Sequence, residues 1–220
     1  MEKIILTTTD SATIAGNYYP GNAPRGVLLV HMMPATKESW GEFAPRLAEK
    51  GYHALAIDLR GHGDSASGPD GYQNLHDADH QKSILDVEAG MAFLRTKNIS
   101  EGDIALVGAS IGANLSLQYL AAHPGVKTAV LLSAGLNYYG IETLPLAQAL
   151  RQGQRLLLAA SEDDMRRSGS NCAAMATKIY EHTASDAEKK LITYHHAGHG
   201  TDMFGKESPD LAEEILAWLR

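Results

Sequence analysis

Asp103-Ile104-Ala105-Leu106-Val107-Gly108-Ala109-Ser110-Ile111-Gly112 is the stretch whose reading decides the fold. The run Asp103–Val107 reads as a buried strand, and Ala113 to His123 continues as an apolar-periodic helix. Between them, Gly108-Ala109-Ser110-Ile111-Gly112 puts a serine at the apex of a turn too sharp for bulky neighbours. Glycines two before and two after the serine remove the side chains that would collide where strand end and first helical turn meet. The serine is then held on a strained corner, its hydroxyl exposed over a helix N-terminus. A serine with a purely structural role needs none of this.

The same alternation runs outward in both directions. Strands are expected at Lys3–Thr9, Thr13–Tyr19, Gly26–His31, His53–Asp58, Asp103–Val107, Lys127–Ser133, Gln154–Ala160 and Lys190–His195. Helical periodicity covers Glu38–Lys50, Asp79–Lys97, Ile111–His123, a short stretch near Leu144–Arg151, Asn171–Thr183 and Pro209–Leu219. Strands alternating with helices require crossover connections. The expectation is therefore an α/β three-layer sandwich, a mostly parallel eight-stranded sheet with helices on both faces. The first two strands lack an intervening helix and should form an antiparallel hairpin at one edge. Residues 1–220 read as one domain without a separate lid, because only a loop and one small helix fit between Ala134 and Gly153. In such sheets sites form beyond the carboxyl ends of the strands, where Ser110 lies.

Composition narrows the function. Hydrophobic residues make up 44% and charged residues 20%, which suits a core that needs no metal or disulfide support. The lone cysteine, Cys172, has no internal partner and reads as a buried thiol. A net charge of −7 without a Lys/Arg cluster argues against nucleic acid as partner. No run reaches membrane-spanning length, and Met1 to Thr9 reads as a strand rather than a signal peptide, so the expected location is cytoplasmic. Neither a metal nor a cofactor is called for. The oligomeric state is left open by the sequence.

A serine hydroxyl is a weak nucleophile without a base to take its proton and a carboxylate to orient that base. His199 lies in His195-His196-Ala197-Gly198-His199-Gly200-Thr201, just past the last strand, between glycines that permit a projecting turn. Strand Gln154–Ala160 runs into Ser161-Glu162-Asp163-Asp164, three acids at another carboxyl end, among which Asp164 and Asp163 compete for the orienting role. The oxyanion needs two backbone N–H groups. Ile111 supplies one from the helix start, and Met32 or Met33 supplies the other from the turn after Gly26–His31. A zinc site built from His195, His196 and His199 is disfavoured, because adjacent residues at a strand end point to opposite faces.

The order Ser110, Asp164, His199 in these contexts resembles the α/β-hydrolase superfamily across nearly the whole chain. Asp58-Leu59-Arg60-Gly61-His62-Gly63-Asp64-Ser65 is similar to a structural loop frequent there, so His62 is not assigned to catalysis. The resemblance implies Met33 as the second oxyanion donor and favours Asp164 over Asp163, although this chain has His31-Met32 where relatives often have His-Gly and Ser161 where they often have glycine. Dienelactone hydrolases share the size but use cysteine at the elbow. The activity implied by the resemblance is that of a small lidless serine esterase, carboxylesterase-like, acting on a small-molecule ester. Met32, Tyr138 and Tyr139 are expected to line its pocket, and Trp40 to anchor its helix. Activity should rise with pH as His199 loses its proton. A serine peptidase or acyltransferase of the same fold is the alternative, and a non-catalytic binding module a more distant one.

Overall fold

Val27 and Leu29 point to one side of a strand and Leu28 and Val30 to the other, and all four are fully buried. A strand apolar on both faces has to lie mid-sheet beneath helices on each side. The computed structural model, which describes residues 1–165 and 169–220, places it there. The strands are β1 (Glu2–Thr7), β2 (Thr13–Tyr19), β3 (Gly26–Val30), β4 (His53–Ile57), β5 (Ile104–Ala109), β6 (Thr128–Leu132), the short pair β7 (Asn137–Tyr138) and β8 (Ile141–Glu142), β9 (Arg155–Ser161) and β10 (Glu188–Tyr194). Eight of them form one sheet in the order β1-β2-β4-β3-β5-β6-β9-β10. β1 pairs antiparallel with β2, and β2 with β4; every other pairing in the sheet is parallel.

The helices are α1 (Phe43–Glu49), α2 (Asp77–Gln81), α3 (Ile84–Arg95), α4 (Ile111–Ala122), α5 (Thr143–Gln148), α6 (Cys172–His182) and α7 (Leu211–Trp218). One face of the sheet is covered by α1 and α7, through Phe43, Leu47, Leu211 and Ile215 against Val27, Leu29, Val107 and Leu157. The other is covered by α3, α4 and α6, through Val87, Met91, Leu115 and Ile179 against Leu28, Leu55, Leu106 and Leu158. Among the described residues, no helix is long and apolar enough to cross a membrane.

The chain departs from the expected elements in three places. The helix expected over Glu38–Lys50 is a 3₁₀ turn at Lys37–Trp40 followed by α1. Trp40 turns inward there, fully buried against Phe43 and Phe204, which is the anchoring role expected of it. The helix expected over Asp79–Lys97 is split at Lys82 and Ser83, where Ser83, Leu85 and Asp86 donate to carbonyls three residues back and tighten the turn. The connection from β6 to β9 holds the β7–β8 hairpin before α5.

The sheet register places the site. Val30 lies opposite Gly108, Ala109 opposite Leu132, Leu132 opposite Ala159 and Ser161 opposite Tyr194. The carboxyl ends of β3, β5, β6, β9 and β10 therefore form one rim, from which Met33, Ser110, Asp164 and His199 all follow within a few residues.

Candidate active site

Ser110 has φ 54° and ψ −117°, a left-handed corner between β5 and α4. Its N–H donates to Leu132 O at 2.8 Å, and its carbonyl accepts from Ala113 N at 2.9 Å. The hydroxyl makes no capping bond to the helix, although serine at that position ordinarily does. The two glycines are needed for space. A Cβ on Gly108 would lie 2.1 Å from Gly112 O, and one on Gly112 would lie 2.3 Å from Val30 O. Close packing of β3, β5 and α4 thus sets the corner.

Asp164 follows β9 and is buried, with its carboxylate 2.6 Å from His199 Nδ1. With Nδ1–H donating, Nε2 of His199 is the acceptor nitrogen. Burial alone would raise the Asp164 pKa. The hydrogen bond from His199 and the support of the Cys172 and Ser133 side chains outweigh burial, and the net shift is downward. Asp163 is engaged elsewhere: its Oδ1 accepts from Ser161 Oγ at 2.5 Å and from Gly198 N at 3.1 Å. Those bonds lower its pKa and fix the loop just ahead of His199. The adjacent acids therefore divide the work, one holding the loop and the other the imidazole.

The His199 loop rests on the serine corner. Gly200 has φ 58°, and a Cβ there would lie 3.2 Å from Ala109 Cβ and 2.5 Å from Met32 Sδ. Gly200 N also donates to Ser133 Oγ at 2.9 Å. Gly200 thus packs on the Ala109 methyl, and the chain neighbours of these two residues are His199 and Ser110. Ser133, fully buried with φ 51°, was not anticipated from the sequence, and nothing local marks it.

Met33, Ser110, Ile111, Asn137, Tyr138 and Tyr139 line a cleft of about 280 Å³. Met32, expected on that lining, packs instead beneath Gly200 and Thr201, with Thr201 Oγ1 3.9 Å from its sulfur. Its backbone does the more useful work. His31 is fully buried; its Nε2 accepts from Leu59 N at 2.9 Å, and its Nδ1–H donates to Met32 O at 2.8 Å. Burial holds its pKa down at about 3, so the ring stays neutral. In a trans peptide the carbonyl and the next N–H point oppositely. Fixing Met32 O on His31 therefore turns Met33 N–H away from His31. Among the described residues, neither Met33 N–H nor Ile111 N–H has a protein acceptor.

Two supports hold the cleft walls. The Asp58 carboxylate accepts from Lys37 N at 2.7 Å, Lys37 Nζ at 2.6 Å and Asp64 N at 2.9 Å, tying the segment after Met33 to the Gly61–Ser65 loop. Within that loop His62 is buried, stacks on Tyr72 and donates from Nδ1 to Arg60 O. On the opposite wall, Asn114 Nδ2 donates to Gly135 O and Ile141 O, and Gln81 Nε2 donates to Tyr139 O. Tyr139 stacks on His80 at 3.8 Å.

Residues 26–171 match the family model described as alpha/beta hydrolase fold. The chain belongs to the α/β-hydrolase family. A thermostable monoacylglycerol lipase of Bacillus sp. (strain H-257) is 28% identical over 120 residues, 54% of this chain and 44% of the lipase. A non-heme chloroperoxidase of Kitasatospora aureofaciens is 30% identical over 132 residues, 59% of this chain and 43% of that protein. The matched segment spans less than half the length of either relative. An esterase of Pyrococcus furiosus superposes with a TM-score of 0.76 at 18% identity, covering 99% of this chain and 88% of the esterase.

Elsewhere in this α/β hydrolase, His195 and His196 stay apart from His199. The His195 ring pairs with Glu162 at 2.8 Å on the exposed surface, and the N–H groups of both residues bond Glu207. A larger hollow, about 370 Å³, lies under the opposite ends of the strands, lined by residues including Arg25, Tyr52, Asp103, Lys127 and Arg155. Among the described residues its lining holds no serine or cysteine.

Proposed function

We propose that this α/β hydrolase cleaves small carboxylic esters through an acyl-enzyme on Ser110, with His199 as general base and acid and Asp164 as its orienting carboxylate. The observation that carries the reading is the 2.6 Å contact between His199 and Asp164 on a loop packed against Ala109, the residue preceding Ser110. His199 takes the hydroxyl proton as Ser110 attacks the ester carbonyl. The N–H groups of Met33 and Ile111 receive the developing oxyanion, each worth about 10²–10³ in kcat. His199 then returns the proton to the leaving alcohol, and water activated by the same ring releases the acid. Asp164 keeps Nδ1 protonated and steadies the imidazolium.

The cleft supports a small substrate. At about 280 Å³ it lies just below the ~300–1,000 Å³ usual for ligand pockets. Short acyl groups fit against Tyr138 and Tyr139, and a bulkier alcohol would extend into solvent. We read the domain as uncapped, since the β6–β9 connection holds only the β7–β8 hairpin and α5. We place the enzyme in the cytoplasm, where its single thiol would stay reduced. A fluorophosphonate probe should label wild type at Ser110 and leave His199→Ala unlabelled. A panel of short and long p-nitrophenyl esters, peptides and acyl-CoA donors should favour the short esters. Preference for a peptide or an acyl acceptor other than water would overturn the esterase assignment.

A further inference from the structure

We propose that Asp164, Cys172 and His199 form a binding site for a thiophilic divalent cation of the zinc class, whose occupation switches off Ser110. The inhibitory half rests on the catalytic roles proposed above; the binding half does not. Cys172 opens α6 and is fully buried. Its N–H donates to Asp164 O at 3.0 Å, and its thiol supports the Asp164 carboxylate. One donor atom from each of Asp164, Cys172 and His199 lies within 4.8 Å of the other two.

That donor set is selective. Sulfur, imidazole nitrogen and carboxylate oxygen together suit zinc and its heavier relatives, whereas magnesium and calcium prefer oxygen alone. Tetrahedral zinc with bonds of 2.0–2.3 Å spaces its ligands by roughly 3.5 Å. To take an ion the three atoms must even out their spacing: the 2.6 Å contact between Asp164 and His199 Nδ1 opens, and the wider separations, none above 4.8 Å, close toward that value. All three donor residues are at least partly buried, which shields the site from bulk water.

Imidazole chemistry sets the consequence. When the cation takes Nδ1, the ring proton moves through solvent to Nε2, the Cys172 thiol gives up its proton to solvent, and no group is oxidised or reduced. Nε2 then bears hydrogen and has no lone pair for the Ser110 proton. The same ion occupies the carboxylate that orients the ring. Metal binding and catalysis thus exclude each other.

Cys172 is the sole cysteine of the chain, so a thiolate-to-cadmium charge-transfer band in the ultraviolet has one source. Adding Cd2+ to the wild-type protein should raise that band to saturation at one equivalent, and Zn2+ should compete it away. Hydrolysis of p-nitrophenyl acetate should fall in step with occupancy and recover with EDTA. Against its own metal-free rate, Cys172→Ser should need at least ~10-fold more Zn2+ for half-inhibition. His199→Ala should keep the band but weaken Cd2+ binding at least ~10-fold, and it keeps the test open if the cysteine variant does not fold. Absence of a saturable band, or equal Zn2+ inhibition of wild type and Cys172→Ser, would overturn the site. A saturating band without loss of activity would overturn the switch. A saturating band in a protein that hydrolyses no ester would leave the cation site standing and bring down the esterase reading instead.

Discussion

Gly108→Ala should cripple turnover while sparing most of the fold. The added Cβ would lie 2.1 Å from Gly112 O and 2.5 Å from Ser116 Oγ, where ordinary contact begins at 3.4 Å. Ser116 Oγ already donates to Gly112 O at 2.7 Å, so both crowded atoms are held in place. No rotamer relieves a clash with backbone, and the strand end must part from the first turn of α4 by about 1 Å. Overpacking of this kind costs about 1–3 kcal/mol, or roughly 2–12 °C in Tm for a chain of this size. A displacement near 1 Å at a reacting centre costs about 10²-fold in rate. The expected result is a folded variant whose kcat/KM for p-nitrophenyl acetate is down at least ~100-fold. Gly102→Ala, whose nearest new contact would be at 3.4 Å, serves as the control and should behave as wild type. A folded Gly108→Ala enzyme with undiminished kcat/KM would refute the idea that a tight strand-to-helix corner aims the Ser110 hydroxyl.

The same geometry bears on three other perturbations. Asp164→Asn should drop kcat by about 10³–10⁴ with unchanged circular dichroism, because an amide does not hold Nδ1 in its protonated form; Asp163→Asn should fall far less, and equal losses would reopen the choice between the two acids. Lys37→Met leaves the buried Asp58 carboxylate without its ammonium and should destabilise the fold by about 3–5 kcal/mol, read as a Tm fall of roughly 6–20 °C; an unchanged Tm would mean that the pair contributes nothing. His31 is neutral in the fold with its pKa depressed by burial to about 3, so its contribution is fully present above the ordinary histidine range and is lost as pH falls from there toward 3, because the unfolded chain takes up the proton first. Denaturant unfolding across that window should show the slope against pH shrinking by about one proton in His31→Leu, and an unaltered slope would remove His31 as the cause.

The sheet was legible because its central strands are apolar on both faces. Runs such as Gly26–Val30 and Ile104–Val107 have no other place to go. The hairpin edge followed from a missing crossover. Helix boundaries were less readable. Nothing in the periodicity of Asp79–Lys97 shows the tightened turn at Lys82 and Ser83, and the inward turn of Trp40 is a tertiary event. Around the candidate site, Ser110 carried its own signal in the flanking glycines. Of the two neighbouring acids the resemblance favoured Asp164, but the physical distinction is tertiary: Ser161 and Gly198 engage Asp163, and His199 engages Asp164. Ser133, Lys37 and Asn114 were invisible for a common reason: each acts on partners distant in sequence, and a lone polar residue near a strand end or in a helix ordinarily reads as surface. Met32 was misread because side-chain direction in an irregular turn has no period; its sulfur went beneath the His199 loop while its carbonyl was fixed by His31.

Acid-quenched mass spectrometry after brief mixing with p-nitrophenyl acetate tests the covalent step most directly. One acetyl group mapped to Ser110 in wild type, and none in Ser110→Ala, is the result expected if the serine corner is the nucleophile. Continued turnover with the acetyl group on another residue, or with Ser110→Ala as active as wild type, would contradict it.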